Sequence, residues 1–163
     1  MKKTFRQAAL AVSLGLGALA PSAFAATASS TFNVSLTLTP KCEFTGTIGA
    51  LAVSYDSFQT AASTGSTNFA MRCTGGQAFS VALDGTGSYT DTTTNIGYSL
   101  KLSTNSSAPS GTDTTSVSGT GSGTTPQTYY VYANAAANQA GQGGGNGTTS
   151  IPGSTTRTLT ITY

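Results

Sequence analysis

Residues 31–38 read TFNVSLTL, apolar at every second position. Phe32, Val34, Leu36 and Leu38 alternate with Thr31, Asn33, Ser35 and Thr37, which puts the four apolar side chains on one face of an extended strand. β-Branched and aromatic residues favour that conformation, no glycine interrupts it, and Pro40 closes it. Complete burial of the four side chains is worth about 6–12 kcal/mol as an upper bound. That is of the order of a whole domain's net stability. A strand this apolar must be buried in its own sheet or in the sheet of another molecule.

The period of two recurs downstream. After Pro40-Lys41, Cys42-Glu43-Phe44 starts a second strand, and Leu51-Ala52-Val53-Ser54-Tyr55 is predicted as another, with Gly46 and Gly49 as punctuation. Residues 63–67 read as a turn region. Phe69, Met71 and Cys73 share one face, and residues 79–83 alternate again beyond Thr74-Gly75-Gly76, which predicts a hairpin around the glycine pair. Residues 86–95 are polar and predicted as loop. In 96–102, Ile96, Tyr98, Leu100 and Leu102 face inward. Residues 103–125 are rich in Ser, Thr and Gly and predicted as a long loop, with a weak edge strand near Val117. Residues 129–132 form a strong strand, 138–149 a glycine-rich loop, and 158–163 a last strand with Leu159, Ile161 and Tyr163 on one face. About seven strands, counting the opening one, with turn signals between them predict an all-β, immunoglobulin-like sandwich.

The first residues change what belongs to that sandwich. Lys2, Lys3 and Arg6 precede an apolar run over 8–20 and the pattern Ala23-Phe24-Ala25, which predicts a secretory signal peptide over 1–25, cut after Ala25. Lys41, Arg72, Lys101 and Arg157 then remain against Glu43, Asp56, Asp84, Asp91 and Asp113, a formal charge of −1. Scattered cations make no basic patch, so nucleic acid is not an expected partner. Charged residues are 7% of the chain, against roughly a quarter in an average domain. Neutral hydroxyls take their place, and little charge is left to repel a second copy.

Two cysteines on predicted strands of an exported chain have one way to pair, Cys42 with Cys73. The bridge would close a loop of about 30 residues, worth roughly 3–4 kcal/mol in the chain-entropy account. There is no histidine and no tryptophan. Ser-His-Asp and Cys-His catalysis and histidine-ligated metals are thereby removed. The carboxylates form no calcium-loop pattern. Gly143-Gly144-Gly145 lacks the lysine and strand–helix setting of a phosphate cradle. No enzyme, cofactor or small-molecule substrate is expected. Asn33, Asn105 and Asn146 head glycosylation sequons, meaningful only in a eukaryotic secretory pathway. Tyr129, Tyr130 and Tyr132 offer a sugar-binding surface; the commoner arrangement is core packing with Tyr130 turned outward.

In order along the chain, these features resemble the spore coat protein U domain family, which includes the subunits of archaic, Csu-type chaperone–usher pili. The matching segments are F-N-V-S-L-T-L-T-P-K-C over 32–42, C-T-G-G-Q-A-F-S-V-A-L-D-G over 73–85, G-Y-S-L over 97–100, Y-V-Y-A over 130–133 and the closing L-T-I-T-Y over 159–163. Three stretches depart from it: the loops 103–125 and 138–149 look particular to this chain, and Gly153-Ser154-Thr155-Thr156-Arg157 stands where the family has G-x-Y-x-D.

The resemblance implies a sandwich that lacks its last strand and is completed by the N-terminal extension of a neighbouring subunit. It implies an extension over 26–40 and an incomplete pilin domain over 41–163. Phe32, Val34, Leu36 and Leu38 would be the donor side chains; Leu159, Ile161 and Tyr163 would line the acceptor and meet the chaperone. The implied partners are copies of the chain or related pilins, a periplasmic chaperone and an outer-membrane usher. The product would be a cell-surface pilus serving attachment and biofilm formation. The alternative is a self-contained secreted sandwich that keeps its opening strand in its own sheet and binds glycan or a surface as a monomer.

Overall fold

A computed structural model describes residues 26–107, 114–143 and 150–163. The predicted signal peptide 1–25, the Asn146 sequon, and residues 108–113 and 144–149 of the two long loops lie outside the described residues. The chain divides into two units, Met1–Thr37 and Leu38–Tyr163. Of the first, residues 26–37 are described, and they are exposed throughout and carry no strand.

The second unit is all strand and loop, with no helix among the described residues. Its strands are β1 (Cys42–Phe44), β2 (Ser63–Cys73), β3 (Ala78–Leu83), β4 (Ser88–Thr90), β5 (Gly97–Ser103), β6 (Ser116–Thr120), β7 (Gln127–Ala135) and β8 (Leu159–Thr162). They form two sheets, ordered β1-β2-β7-β5-β4 and β6-β3-β8. Every pairing is antiparallel.

The strands follow the alternation. Phe69, Met71 and Cys73 on β2, Tyr129, Val131 and Ala133 on β7, and Leu100 and Leu102 on β5 bury one face of the first sheet. Phe79, Val81 and Leu83 on β3 bury the facing side of the second. Phe69 stacks on Tyr129 at 5.6 Å, and Phe79 meets Tyr129 edge-on at 6.2 Å, so one aromatic cluster joins the sheets. Cys42 and Cys73 are bonded to each other.

Several expectations are corrected. Residues 63–67 are not a turn but the first half of β2, paired with β7 from Ser63↔Ala135 to Thr67↔Val131. The local composition favours a turn, but a nine-residue ladder overrides it. The inward positions there are small because residues 49–53 lie over them. A Cβ on Gly65 would meet the Ala52 carbonyl oxygen at 2.3 Å, and the Thr67 hydroxyl donates to the Gly49 carbonyl at 3.0 Å. Residues 51–55 form no strand, although Leu51, Val53 and Tyr55 are half-buried and Ala52 and Ser54 exposed. Strands β2 and β3 are not a hairpin: residues 74–77, with Gly76 at φ 79°, turn the chain from one sheet into the other. The polar stretch 86–95 contains β4, and the weak edge strand expected near Val117 is β6.

Asp91 ties the approach to β8 onto the β4–β5 turn. It is 8% exposed. It accepts hydrogen bonds from the Thr93 and Thr94 backbone N–H groups, at 3.1 and 2.8 Å, and from the Thr94 and Thr155 hydroxyls, at 2.9 and 3.0 Å. The Thr94 N–H first, with these other donors, holds the Asp91 pKa below its ordinary 3.8, against the opposing effect of burial. A depressed folded-state pKa stabilises the fold fully above the unfolded value and loses that contribution as pH falls through the folded one. Asp91→Asn, which turns an amide toward these donors, is expected to cost about 1–3 kcal/mol at neutral pH. It should also flatten the fall in unfolding temperature below about pH 4. Parallel melting curves for the two proteins from pH 7 to pH 2 would remove Asp91 from the acid response.

Candidate strand-exchange site

β8 is paired on one side only. Its ladder to β3 runs from Leu83↔Leu159 to Ser80↔Thr162, and among the described residues no strand lies on its other side. Leu159 and Ile161 are half-buried and pack on the core, while Thr160 and Thr162 are exposed. This short apolar strand at a sheet edge leaves backbone N–H and C=O groups for another strand to pair with. Tyr163 lies beyond the strand and is 56% exposed.

A second stretch shares the incompleteness. Ile48, Leu51 and Val53 are half-buried against the same core cluster as Leu159 and Ile161. Yet among the described residues 46–55 make no backbone-to-backbone hydrogen bond. Apolar side chains sit on the core while their main chain lies outside both ladders. The alternation of 51–55 registered the burial; nothing local showed that the ladder partner is missing.

The exposed apolar side chains lie elsewhere in the sequence. Phe32, Val34, Leu36 and Leu38 are 85%, 70%, 91% and 75% exposed. The structure assigns them to no strand and gathers them into no core. Three residues after Leu38 the chain is fastened. The Lys41 N–H donates to the Thr74 hydroxyl at 2.9 Å, and the Thr74 N–H donates to the Lys41 carbonyl at 2.9 Å. Lys41 also pairs with Glu43, which Arg72 holds from the other side at 2.6 Å. Hydrogen bonds from Lys41 first and then from Arg72 lower the Glu43 pKa. This network is exposed and screened, so it orients side chains more than it stabilises the fold.

At the start of β8, Arg157 lies over the Tyr89 ring, 3.7 Å from its centroid, and donates from Nε to the Tyr98 hydroxyl at 3.2 Å. Its Nη1 is 3.7 Å from an Asp84 carboxylate oxygen. The Asp84 N–H donates to the Thr158 carbonyl at 3.0 Å. One cation thus holds the entry of β8, in the second sheet, against β4 and β5 of the first. A lone arginine directly before the last alternating run was the available sequence signal.

The tyrosines do not make an open sugar platform. Tyr129 is core; Tyr130 is half-buried; Tyr132 is 6% exposed, its hydroxyl donating to the Asn105 carbonyl at 2.8 Å. Among the described residues, no three His, Cys, Asp or Glu side chains stand together as metal ligands. What the geometry offers is surface for a strand: an unpaired edge, apolar side chains beside it, and a separate apolar stripe outside any core.

Residues 28–162 match the family model of the Spore Coat Protein U domain. No curated protein matches the chain.

Proposed function

Because the chain belongs to the Spore Coat Protein U domain family, the family of Csu-type archaic chaperone–usher pilins, we propose that it is a pilus subunit that polymerises by strand exchange. Residues 26–40 of one copy are the donor, and Phe32, Val34, Leu36 and Leu38 its buried side chains. The acceptor is the open edge of β8, with Leu159 and Ile161 on one wall and Ile48, Leu51 and Val53 on the other. Tyr163, just beyond the strand, lines the acceptor with Leu159 and Ile161.

The observation that carries this reading is the unpaired edge of β8. An immunoglobulin constant-type sandwich has A-B-E-D in one sheet and C-F-G in the other. Here β1-β2-β7-β5 take the places of A-B-E-D and β3-β8 those of C-F. The position after F is empty among the described residues. A donor strand there supplies G, adding main-chain hydrogen bonds and burying alternate side chains. Since the donor and acceptor are different surfaces, the contact does not close on itself and yields a filament. Before assembly the same edge is an aggregation hazard. It is therefore held by a periplasmic chaperone and handed over at an outer-membrane usher. The resulting fibre serves attachment and biofilm formation.

The test is mass by light scattering over a concentration series of the chain 26–163. A ladder of head-to-tail oligomers is the expected result. A monomer at every concentration, with a single cooperative unfolding transition, would favour the self-contained sandwich instead.

A further inference from the structure

Phe58 is 71% exposed and has φ 62°, a left-handed backbone conformation that bulky side chains rarely adopt. The loop around it is held firmly. The Phe58 N–H donates to the Gln139 carbonyl at 2.8 Å, the Gln139 N–H to the Tyr55 hydroxyl at 2.8 Å, and the Ser57 hydroxyl to the Ala140 carbonyl at 2.7 Å. The Asn138 N–H donates to the Gln59 carbonyl at 2.8 Å. The Gln139 side chain accepts from the Gly97 N–H at 2.7 Å and donates to the Gly97 and Ala136 carbonyls, each at 2.9 Å. Loops 55–59 and 136–140 and the start of β5 at Gly97 thus form one hydrogen-bonded plate. A strained backbone and a fixed loop present a bare aromatic ring outward, and neither helps to bury it.

The register places this plate. β2, β7 and β5 meet it at Ser63, Ala135 and Tyr98, while their opposite end holds Gln127 and the Cys42–Cys73 bridge. β3 starts at the bridge end, so antiparallel β8 runs from the plate end toward the bridge end. A donor strand antiparallel to β8 therefore leaves the groove at the plate end. Four residues after Leu38 its own chain reaches its own Cys42. The donor's bridge end is thereby brought to the acceptor's plate.

We infer that the Phe58 plate is the face on which the bridge end of the next copy of this chain seats. This rests on the strand-exchange reading and adds to it a second contact at each joint. The charges fit: Asp56 is exposed beside Phe58, and the bridge end carries Lys41 and Arg72 around the single carboxylate of Glu43. Every copy whose groove is filled has this plate covered, so the ring serves the joint and not a target surface.

The test uses the full chain, exported by its own cells, with Phe58→p-benzoylphenylalanine and irradiation of isolated fibres. Crosslinks to residues 39–45, 72–77 or 121–127 of another copy are expected. Crosslinks confined to other segments, or none in fibres that form normally, would overturn the inference and leave strand exchange standing. A second variant guards against a purely structural role. Phe58→Asn keeps the left-handed turn, so the isolated chain should melt no lower than wild type while its fibres lose length under shear. Lower melting with unaltered fibres would assign Phe58 to the fold alone. If the wild-type chain forms no fibres, strand exchange and this joint fail together.

Discussion

Leu36→Arg is expected to abolish assembly while leaving the isolated subunit folded. Leu36 is 91% exposed in its own chain, so its replacement removes no packing there. In the proposed strand exchange the same side chain would be buried in the groove of a neighbour. The substitution forfeits about 1.5–3 kcal/mol of apolar burial and asks a guanidinium to leave water, which costs several kcal/mol more. At about 1.4 kcal/mol per tenfold, donor affinity falls by roughly a thousandfold or more. Light scattering should show a monomer with an unaltered circular dichroism spectrum. The variant's own β8 edge is untouched, so it should still accept an added peptide of residues 26–39 and gain thermal stability from it. Two results would defeat the proposal: oligomers like those of wild type, or a variant that simply unfolds. The second would mean that the stripe belongs to its own sheet.

How far this architecture could be read in the sequence depended on side-chain size. Strands with heavy inward residues, such as Phe69-Met71-Cys73 or Tyr98-Leu100-Leu102, announced themselves by alternation. The first half of β2 did not, because its inward positions are Gly65 and Thr67, small so that the chain near Ala52 can lie on them. That constraint comes from a segment thirteen residues away and leaves only a turn-like composition behind. The Thr74-Gly75-Gly76 turn marked a reversal correctly. A reversal does not say whether the next strand pairs with the last or crosses to the facing sheet, and here it crosses.

The candidate site divides the same way. The stripe at Phe32, Val34, Leu36 and Leu38 was legible as a stripe, and Leu159 and Ile161 as its counterpart in period. That β8 has no outer neighbour among the described residues is a property of sheet order, which no local pattern encodes. Leu51 and Val53, within the predicted strand 51–55, looked like part of an ordinary strand for the same reason. Their burial is visible in the sequence and their unpaired backbone is not. Arg157 and Phe58 each stood as isolated residues until strand order placed one at the entry of β8 and the other at the end of the sandwich.

Loss of the Cys42–Cys73 bridge is the second large effect, and its position matters as much as its size. The cysteines are separated by 31 residues, and closing such a loop removes about 3–4 kcal/mol of chain entropy from the unfolded state. For a chain of this length that corresponds to a fall in unfolding temperature on the order of 10 °C. Reduced wild-type protein separates the crosslink from packing, since both sulfurs stay in their buried places. Cys42→Ala with Cys73→Ala should fall further, by the cavity it opens. A fall in the reduced protein below about 3 °C would mean that the bridge does little to constrain the unfolded chain. In a strand-exchanged fibre the bridge would also lie on the path of tension. β1 is three residues long and would carry the root of the donor extension, fastened otherwise by its ladder to β2 and by the three Lys41–Thr74 hydrogen bonds. Pulling on residues 38–41 of the oxidised protein loads β2, eleven residues long and inside the sheet, through a covalent bond. In the reduced protein the same pull peels β1 first. Single-molecule stretching of fibres should therefore show, only after reduction, an early extension step at low force before the subunits unfold. An identical trace with and without the bridge would mean that load enters the sandwich by another route.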